Sequence, residues 1–277
     1  MVSHIIDGRA IAKKCRLELK QKLKDSPQIK LTIVVVGDNP VIETYVGAKV
    51  RAAEKIGILA SVVRKPETIT EKQLIEDLYT EFNNTDGIIV QLPLPAHIDR
   101  ERVLNTIPST HDVDVLTEGA YALFEKNELP CTPPVASAVL KALTDIGFTI
   151  SGSKMAVIGY GKLVGMPCDV LFTRLGAHVE IVRKNTDPEE RLRILKNAQV
   201  IISGIGVPNS LKAADISEGV ILLDAGTSER EGGTAGDLDP DCLTVASHVA
   251  AVPGGIGPLT VVSLFENLVI LSKNQSK

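Results

Sequence analysis

Tryptophan is absent from this 277-residue chain and aromatic residues make up only 3% of it, so its core has to be aliphatic. Cysteine is scarce too. Cys15, Cys131, Cys168 and Cys242 stand far apart, which indicates neither a disulfide framework nor a zinc site. The five histidines show no ligand spacing, so no metal is expected. No apolar run approaches the length of a membrane span and no signal-peptide core opens the chain; the expectation is a cytoplasmic protein without a membrane partner. A basic run is also missing. With a formal net charge of -4, nothing favours nucleic acid as a partner. Internal repeats and low-complexity segments are lacking as well.

What is present is a regular alternation of β-branched runs and amphipathic stretches. Residues from Ile5 to about Lys24 carry Ile11, Cys15, Leu17, Leu19 and Leu23 among lysines, the pattern of an amphipathic helix. Leu31 to Val36 is almost uninterruptedly β-branched, as in a parallel strand buried on both faces. A helix follows over about Asn39 to Gly57, then a strand at Leu59 to Val63 and a helix from about Thr70, announced by the capping pattern Thr68-Ile-Thr-Glu71. Gly87 to Pro95 is a second buried strand, stopped by two prolines. Residues 99–134 are irregular and proline-rich, and the domain boundary is expected there. Beyond it come a helix at about Val135 to Ile146 and strands at Lys154 to Ile158, His178 to Val182, Gln199 to Ser203, Val220 to Leu223 and Leu243 to Ala246. An apolar helix from Leu259 to about Ser272 closes the series. Strand alternating with helix predicts a two-domain α/β protein with parallel, doubly wound sheets.

Several residues fall where such folds keep their chemistry. Tyr45 and Lys49 are four apart on one helix, so a phenol and an amine share a face just past the carboxyl end of a strand. An exposed tyrosine and a solvated lysine would show the same spacing. Gln91 closes the next strand, where a buried amide needs partners. Asp112 and Asp114 lie in the irregular stretch; a carboxylate there suits a donor pair on a heterocycle, or a turn or cap. The loop Gly159-Tyr160-Gly161-Lys-Leu-Val-Gly165 joins a strand to a helix, the setting for pyrophosphate binding, although its last spacing is one residue longer than G-x-G-x-x-G. Gly204 and Gly206 form a second turn after a later strand, readable as the nicotinamide side or as a plain tight loop. Arg183 and Lys184 end the strand after the glycine loop, where an NAD site usually has an acidic residue; they suit the 2′-phosphate of NADP, with NAD as the other possibility.

Taken together, these segments resemble the bifunctional methylenetetrahydrofolate dehydrogenase/methenyltetrahydrofolate cyclohydrolase family. The resemblance rests on Tyr45-Val-x-x-Lys49, Gly87-Ile-Ile-Val-Gln-Leu-Pro-Leu-Pro95, Asp112-Val-Asp114, Pro130-Cys-Thr-Pro133, Val164-Gly-Met-Pro167 and Pro253-Gly-Gly-Ile-Gly-Pro-Leu-Thr260. It implies an N-terminal folate and catalytic domain over 1–125, completed by 259–277, and a Rossmann-type NADP-binding domain over 126–258. It also implies a terminal helix that returns to the first domain, and a homodimer. By the same resemblance Lys49 is the catalytic lysine and Gln91 tunes it. Tyr45 and Asp114 serve both catalysis and folate binding, and Pro253, Gly254 and Gly255 border the folate. The chain departs from the family pattern in places: Tyr160 stands at a usual arginine, Ile42 at a small polar residue, Val115 at a glycine and Ala250-Ala251 at Thr-Pro, and Leu116 to Phe124 lacks the usual asparagine and glycine pattern. A shikimate-type dehydrogenase and a catalytically silent nucleotide-sensing module are the alternative readings.

Overall fold

The structure, a computed structural model, describes residues 3–24, 26–230 and 233–275. In chain order the elements are β1 (His4–Ile5), α1 (Gly8–Leu23), β2 (Lys30–Val36), α2 (Pro40–Ile56), β3 (Leu59–Lys65), α3 (Glu71–Glu81) and β4 (Gly87–Val90). Then come α4 (Arg100–Leu104), α5 (Glu118–Glu125), α6 (Pro134–Asp145), β5 (Lys154–Ile158), α7 (Gly165–Arg174), β6 (His178–Val182) and α8 (Pro188–Asn197). The series ends with β7 (Val200–Ser203), β8 (Ile221–Asp224), β9 (Ser228–Arg230), β10 (Gly233–Ala235), β11 (His248–Ala250) and α9 (Ile256–Gln275). The chain forms two compact units. Residues 14–134 with 261–277 make a lysine unit, and residues 1–13 with 135–260 make a glycine-loop unit.

The lysine unit is built on the parallel sheet β3-β2-β4. Every residue of β2 after Lys30 is buried. Val34, Val36, Ile88 and Val90 pack with Leu74, Leu78, Val103 and Leu104 in one aliphatic cluster. Local signals set the helix ends. Pro40 opens α2 with its fixed φ, while Gly57, at φ 86°, closes it as its N–H donates to Glu54 O and the next N–H to Ala53 O. The capping box of α3 is shifted from the expected pair: Thr70 caps, and its partner is Gln73, whose side chain accepts from the Thr70 N–H. α4 and α5 occupy part of the stretch that its prolines made look irregular. α9 packs directly on β4, because a Cβ at Gly87 would fall 2.6 Å from Leu268 Cδ1 and 2.5 Å from Val113 Cγ1. By length and composition α9 is apolar enough to cross a membrane, contrary to the expectation from run lengths. Its residues Val262, Phe265 and Leu268 are fully buried in the protein, as in a core helix.

The glycine-loop unit holds a six-stranded parallel sheet in the order β1-β11-β8-β7-β5-β6. The N-terminal contribution is a departure from expectation. His4 and Ile5 pair with His248 and Val249, and the helix begins only after Asp7, whose carboxylate accepts from the Arg9 and Ala10 N–H groups. The strand expected at Leu243 to Ala246 lies at His248–Ala250 instead. Asp239 caps a 3₁₀ turn over Pro240–Thr244, and this Asp-Pro start signal outweighs the short apolar run. The hairpin β9–β10 was not anticipated.

One strained position bears on the site. Val115 is buried and has φ 55°, a conformation that β-branched residues almost never adopt. The Asp112 carboxylate holds the turn around it by accepting from the N–H groups of Leu116, at 2.9 Å, and Thr117, at 2.8 Å. At an ordinary site glycine is the worse replacement; here it relieves strain that alanine keeps. V115G should therefore exceed V115A in stability by about 1 kcal/mol in urea unfolding, although both lose buried surface. The reverse order would show that the turn is unstrained.

Candidate active site

Within the lysine unit, parallel pairing carries three expected residues to one place. β2 leads through Gly37 into α2, which bears Tyr45 and Lys49 on one face. β4 leads into Gln91, whose N–H still donates to Val34 O at 2.9 Å and so keeps the residue in register with β2. Lys49 Nζ donates to Gln91 Oε1 at 2.7 Å, and Gln91 Nε2 donates to Leu92 O at 2.8 Å. Because the amide is held at both ends, its oxygen faces the amine. Tyr45, one turn earlier, is 39% exposed and forms part of the open face.

Electrostatics then distinguishes the two carboxylates of Asp112-Val-Asp114. Asp112 is buried and already satisfied by the backbone donors of its own turn, although burial still pushes its carboxyl up. Asp114 is pushed up to about 6, chiefly by burial and further by the Asp112 charge, while the Lys49 charge pulls it back. Burial lowers the Lys49 amine, against the opposing pull of Asp114. Both members of the Lys49/Asp114 pair are thus shifted toward their neutral forms. An amine that yields its proton more readily, beside a carboxylate with affinity for donors, is a setting for proton transfer and for gripping a heterocycle.

In the glycine-loop unit the loop after β5 meets the turn after β7. Gly159 has φ 89°, and a Cβ there would lie 2.6 Å from Ile205 Cγ2. A Cβ at Gly165 would lie 2.1 Å from Gly159 O, and one at Gly204 2.5 Å from Val164 Cγ1. Gly161 is exposed, with open space where a Cβ would be. α7 starts at Gly165 without a side-chain cap, and its Met166 N–H donates back to Gly161 O at 3.1 Å. An open glycine before an uncapped helix of 10 residues fits a dinucleotide pyrophosphate. Tyr160 and Arg183 are in contact, with the guanidinium carbon 3.9 Å from the ring centroid. Lys184 is exposed beside them. Pro253, Gly254 and Gly255 form the turn before α9 in this same unit, and Gly255 N donates to Ala251 O at 2.8 Å.

Sequence reading missed the carboxylate that shapes the second turn. Asp237 is fully buried and accepts from Ser203 Oγ at 2.7 Å, Ile205 N at 2.9 Å and Val207 N at 2.8 Å, which fixes the backbone around Gly204 and Gly206. Gly226 is glycine because a Cβ there would fall 2.2 Å from that carboxyl. Next to it, burial and then the Asp237 charge push Asp224 up to about 6 despite its bonds from Gly226 N and Leu238 N. In sequence, Gly236-Asp237 reads as an ordinary turn, and nothing in its spacing points back to residue 203.

Comparison with known proteins divides the chain at a similar point near residue 130, although the structure assigns residues 6–13 and 261–275 to the opposite units. Residues 6–114 match the profile of the tetrahydrofolate dehydrogenase/cyclohydrolase catalytic domain, and residues 130–276 match that of its NAD(P)-binding domain. The chain is 38% identical to the bifunctional protein FolD of Lactococcus lactis subsp. lactis, over 96% of each chain. It is 36% identical to that of Mycoplasmopsis synoviae, over 97% of this chain and 99% of the relative. Among solved structures, the bifunctional FolD methylenetetrahydrofolate dehydrogenase/cyclohydrolase of Campylobacter jejuni superposes with a TM-score of 0.93, 32% identity and 99% coverage of each chain. The Trypanosoma brucei dehydrogenase-cyclohydrolase, solved with NADP cofactor and an inhibitor, gives 0.92 and 28% identity, covering 100% of this chain and 99% of the other. With both profiles matched in order over nearly all its length, the chain belongs to the tetrahydrofolate dehydrogenase/cyclohydrolase family.

Proposed function

We propose that the chain oxidises 5,10-methylenetetrahydrofolate with NADP and hydrolyses the resulting 5,10-methenyl compound to 10-formyltetrahydrofolate, with Lys49 as proton carrier of the hydrolysis. The observation that carries this reading is the Lys49–Gln91 hydrogen bond in a setting that lowers the amine. Bound NADP supplies the hydride acceptor. Gly159, Gly161 and Gly165 with the start of α7 would hold its pyrophosphate, Gly204 and Gly206 would border its nicotinamide end, and Arg183 and Lys184 would hold its 2′-phosphate. A homodimer and a cytoplasmic location belong to the same reading.

Hydrolysis places the clearer demand on side chains. The oxygen of water bonds to the electrophilic methenyl carbon, and the neutral Lys49 amine takes one of the water's protons. The bond from that carbon to N5 then breaks as N5 gains a proton, and the hydroxyl gives up its own to become the formyl carbonyl. One proton is released overall. Free lysine, with a pKa of about 10.4, is a poor base at neutral pH because it is nearly all protonated. Burial brings the amine closer to use, and a cationic substrate works in the same direction. Gln91, pinned through Leu92 O, aims the amine, while ionised Asp114 accepts donors from the pterin and Tyr45 packs on it. Pro253, Gly254 and Gly255 complete the folate-binding set in this reading.

Replacing Lys49 with methionine keeps most of the stem and removes the amine. K49M should retain measurable dinucleotide reduction while the methenyl compound accumulates, with its hydrolysis at least about 100-fold down. Following both species in one reaction, with uncatalysed hydrolysis subtracted, tests this. Parallel loss of both activities in a folded variant, or unchanged hydrolysis, would remove Lys49 from the role.

The folded Asp114 group titrates near 6, above its ordinary 3.8. The unfolded chain therefore loses this proton first, and the buried charge costs stability progressively from about pH 4 to about pH 6, then by a constant amount. D114N lacks that cost. Its stability relative to the unmodified protein should rise across this window, by up to about 3 kcal/mol, and stay flat above it. Urea unfolding at pH 4 and pH 7 measures the difference; a gap that is constant or narrows as pH rises would contradict the buried charge. For the cofactor, R183D should raise the KM for NADP far more than that for NAD, and equal losses would refute the assignment of Arg183.

A further inference from the structure

The contact between Tyr160 and Arg183 joins two loops that sequence reading treated separately. β5 and β6 are neighbours in register, Ile158 opposite Val182, so the residues following them emerge side by side. Gly159 N donates to Val182 O at 2.8 Å and ties the two exits together. Past this tie Arg183 extends into an exposed turn closed by Arg183 N donating to Thr186 Oγ1 at 2.8 Å and Thr186 N donating to Arg183 O at 3.1 Å. Its guanidinium lies over the ring of Tyr160. The ring is itself anchored: Tyr160 Oη donates to Asp169 Oδ2 at 2.9 Å, and Asp169 Oδ1 accepts from Thr173 Oγ1 at 3.3 Å along α7.

We infer that Tyr160 is a specificity-determining residue for the dinucleotide: its anchored ring holds the Arg183 guanidinium flat and turns the N–H edge of Arg183 to a phosphate ester on the adenosine ribose. This rests on the reading that Arg183 binds the 2′-phosphate. An exposed arginine has much rotamer freedom to lose on engaging an anion, and a stacked one has already lost part of it. Stacking uses the guanidinium face, and although one guanidinium N–H also engages the Tyr160 hydroxyl, the five-donor fork has further in-plane N–H groups for an anion. The Tyr160 hydroxyl and Thr173 each donate to one oxygen of Asp169. NAD, lacking the phosphate, gains nothing from the arrangement, so the effect of the ring is confined to NADP.

The test uses the full-length protein and two probes, adenosine 2′,5′-bisphosphate and adenosine 5′-monophosphate, with affinities measured by calorimetry and the KM values for NADP and NAD alongside. R183Q should weaken the bisphosphate at least about tenfold and leave the monophosphate within about twofold. Y160L, which removes the ring, should weaken the bisphosphate about three- to fivefold and leave the monophosphate within about twofold. Y160F, which keeps the ring and loses its anchor, should stay within about twofold of the unmodified protein. With R183Q already in place, Y160L should have no further effect, because the ring acts only through the arginine. If Y160L does not fold, Y160H and Y160S replace it, the first retaining a stacking face and the second not. R183Q that spares the bisphosphate overturns the underlying assignment of Arg183. R183Q that weakens it, combined with Y160L that spares it, weakens both probes equally or adds fully to R183Q, overturns the role of Tyr160 alone.

Discussion

A half-buried amine within electrostatic reach of a half-buried carboxylate is the arrangement on which the lysine unit turns. Neither group is comfortable there, and each tempers the other: Asp114 limits how far burial lowers Lys49, and Lys49 limits how far burial raises Asp114. The pair depends on backbone placed earlier. Gln91 reaches Lys49 because β4 stays in register with β2 up to that residue, and α2 presents the lysine because β2 ends in a turn that opens it. Asp112 contributes by closing the turn that carries Asp114, at the expense of a left-handed valine. A site of this kind holds groups in states that water would not favour, and the surrounding secondary structure supplies the opposing free energy.

The glycine-loop unit solves a different problem, that of making room. Its loop after β5 and its turn after β7 are glycine-rich where backbones or side chains come within van der Waals distance. The turn is fixed by a buried acid and not by packing. Asp237 gathers three donors from residues 203 to 207, and two other glycines, Gly226 and Gly236, lack side chains because the carboxyls of Asp237 and Asp224 fill that space. Two neighbouring buried carboxyls repel when both are ionised, which accounts for part of the upward shift of Asp224.

Much of this was legible in the sequence, for identifiable reasons. A β-branched run such as Leu31–Val36 has few alternatives to a buried parallel strand, and punctuation by Pro40 and Gly57 bounds α2 closely. The pairing of Lys49 with Gln91 was foreseeable because both follow parallel strands at the same end of one sheet. What escaped was local or long-range. The two-residue strand His4–Ile5 pairs only with β11, whose residues lie at the other end of the sequence, His4 opposite His248. The strand expected at Leu243–Ala246 gave way to a 3₁₀ turn set by Asp239 and Pro240. Asp237 was unreadable since its partners lie 30 to 34 residues earlier, and the Tyr160–Arg183 stack joins residues that share no motif.

The packing of α9 on β4 also constrains the order in which the molecule can be made. Ser272 reaches Asp86 and Gln275 reaches Asp86 and Thr110, contacts separated by 165 to 189 residues, and Leu268 fills the space that a side chain at Gly87 would need. Strands β2 and β4 leave the ribosome early, yet the strand that carries Gln91 lacks its covering helix until residues 261–275 have been synthesised. For most of translation the apolar face of β4 around Gly87 is therefore uncovered, a period in which a nascent chain depends on chaperones or on its own partial collapse. The sheet of the unit that holds the lysine is made before strands β5 to β11 of the other unit, and the lysine unit is completed after them.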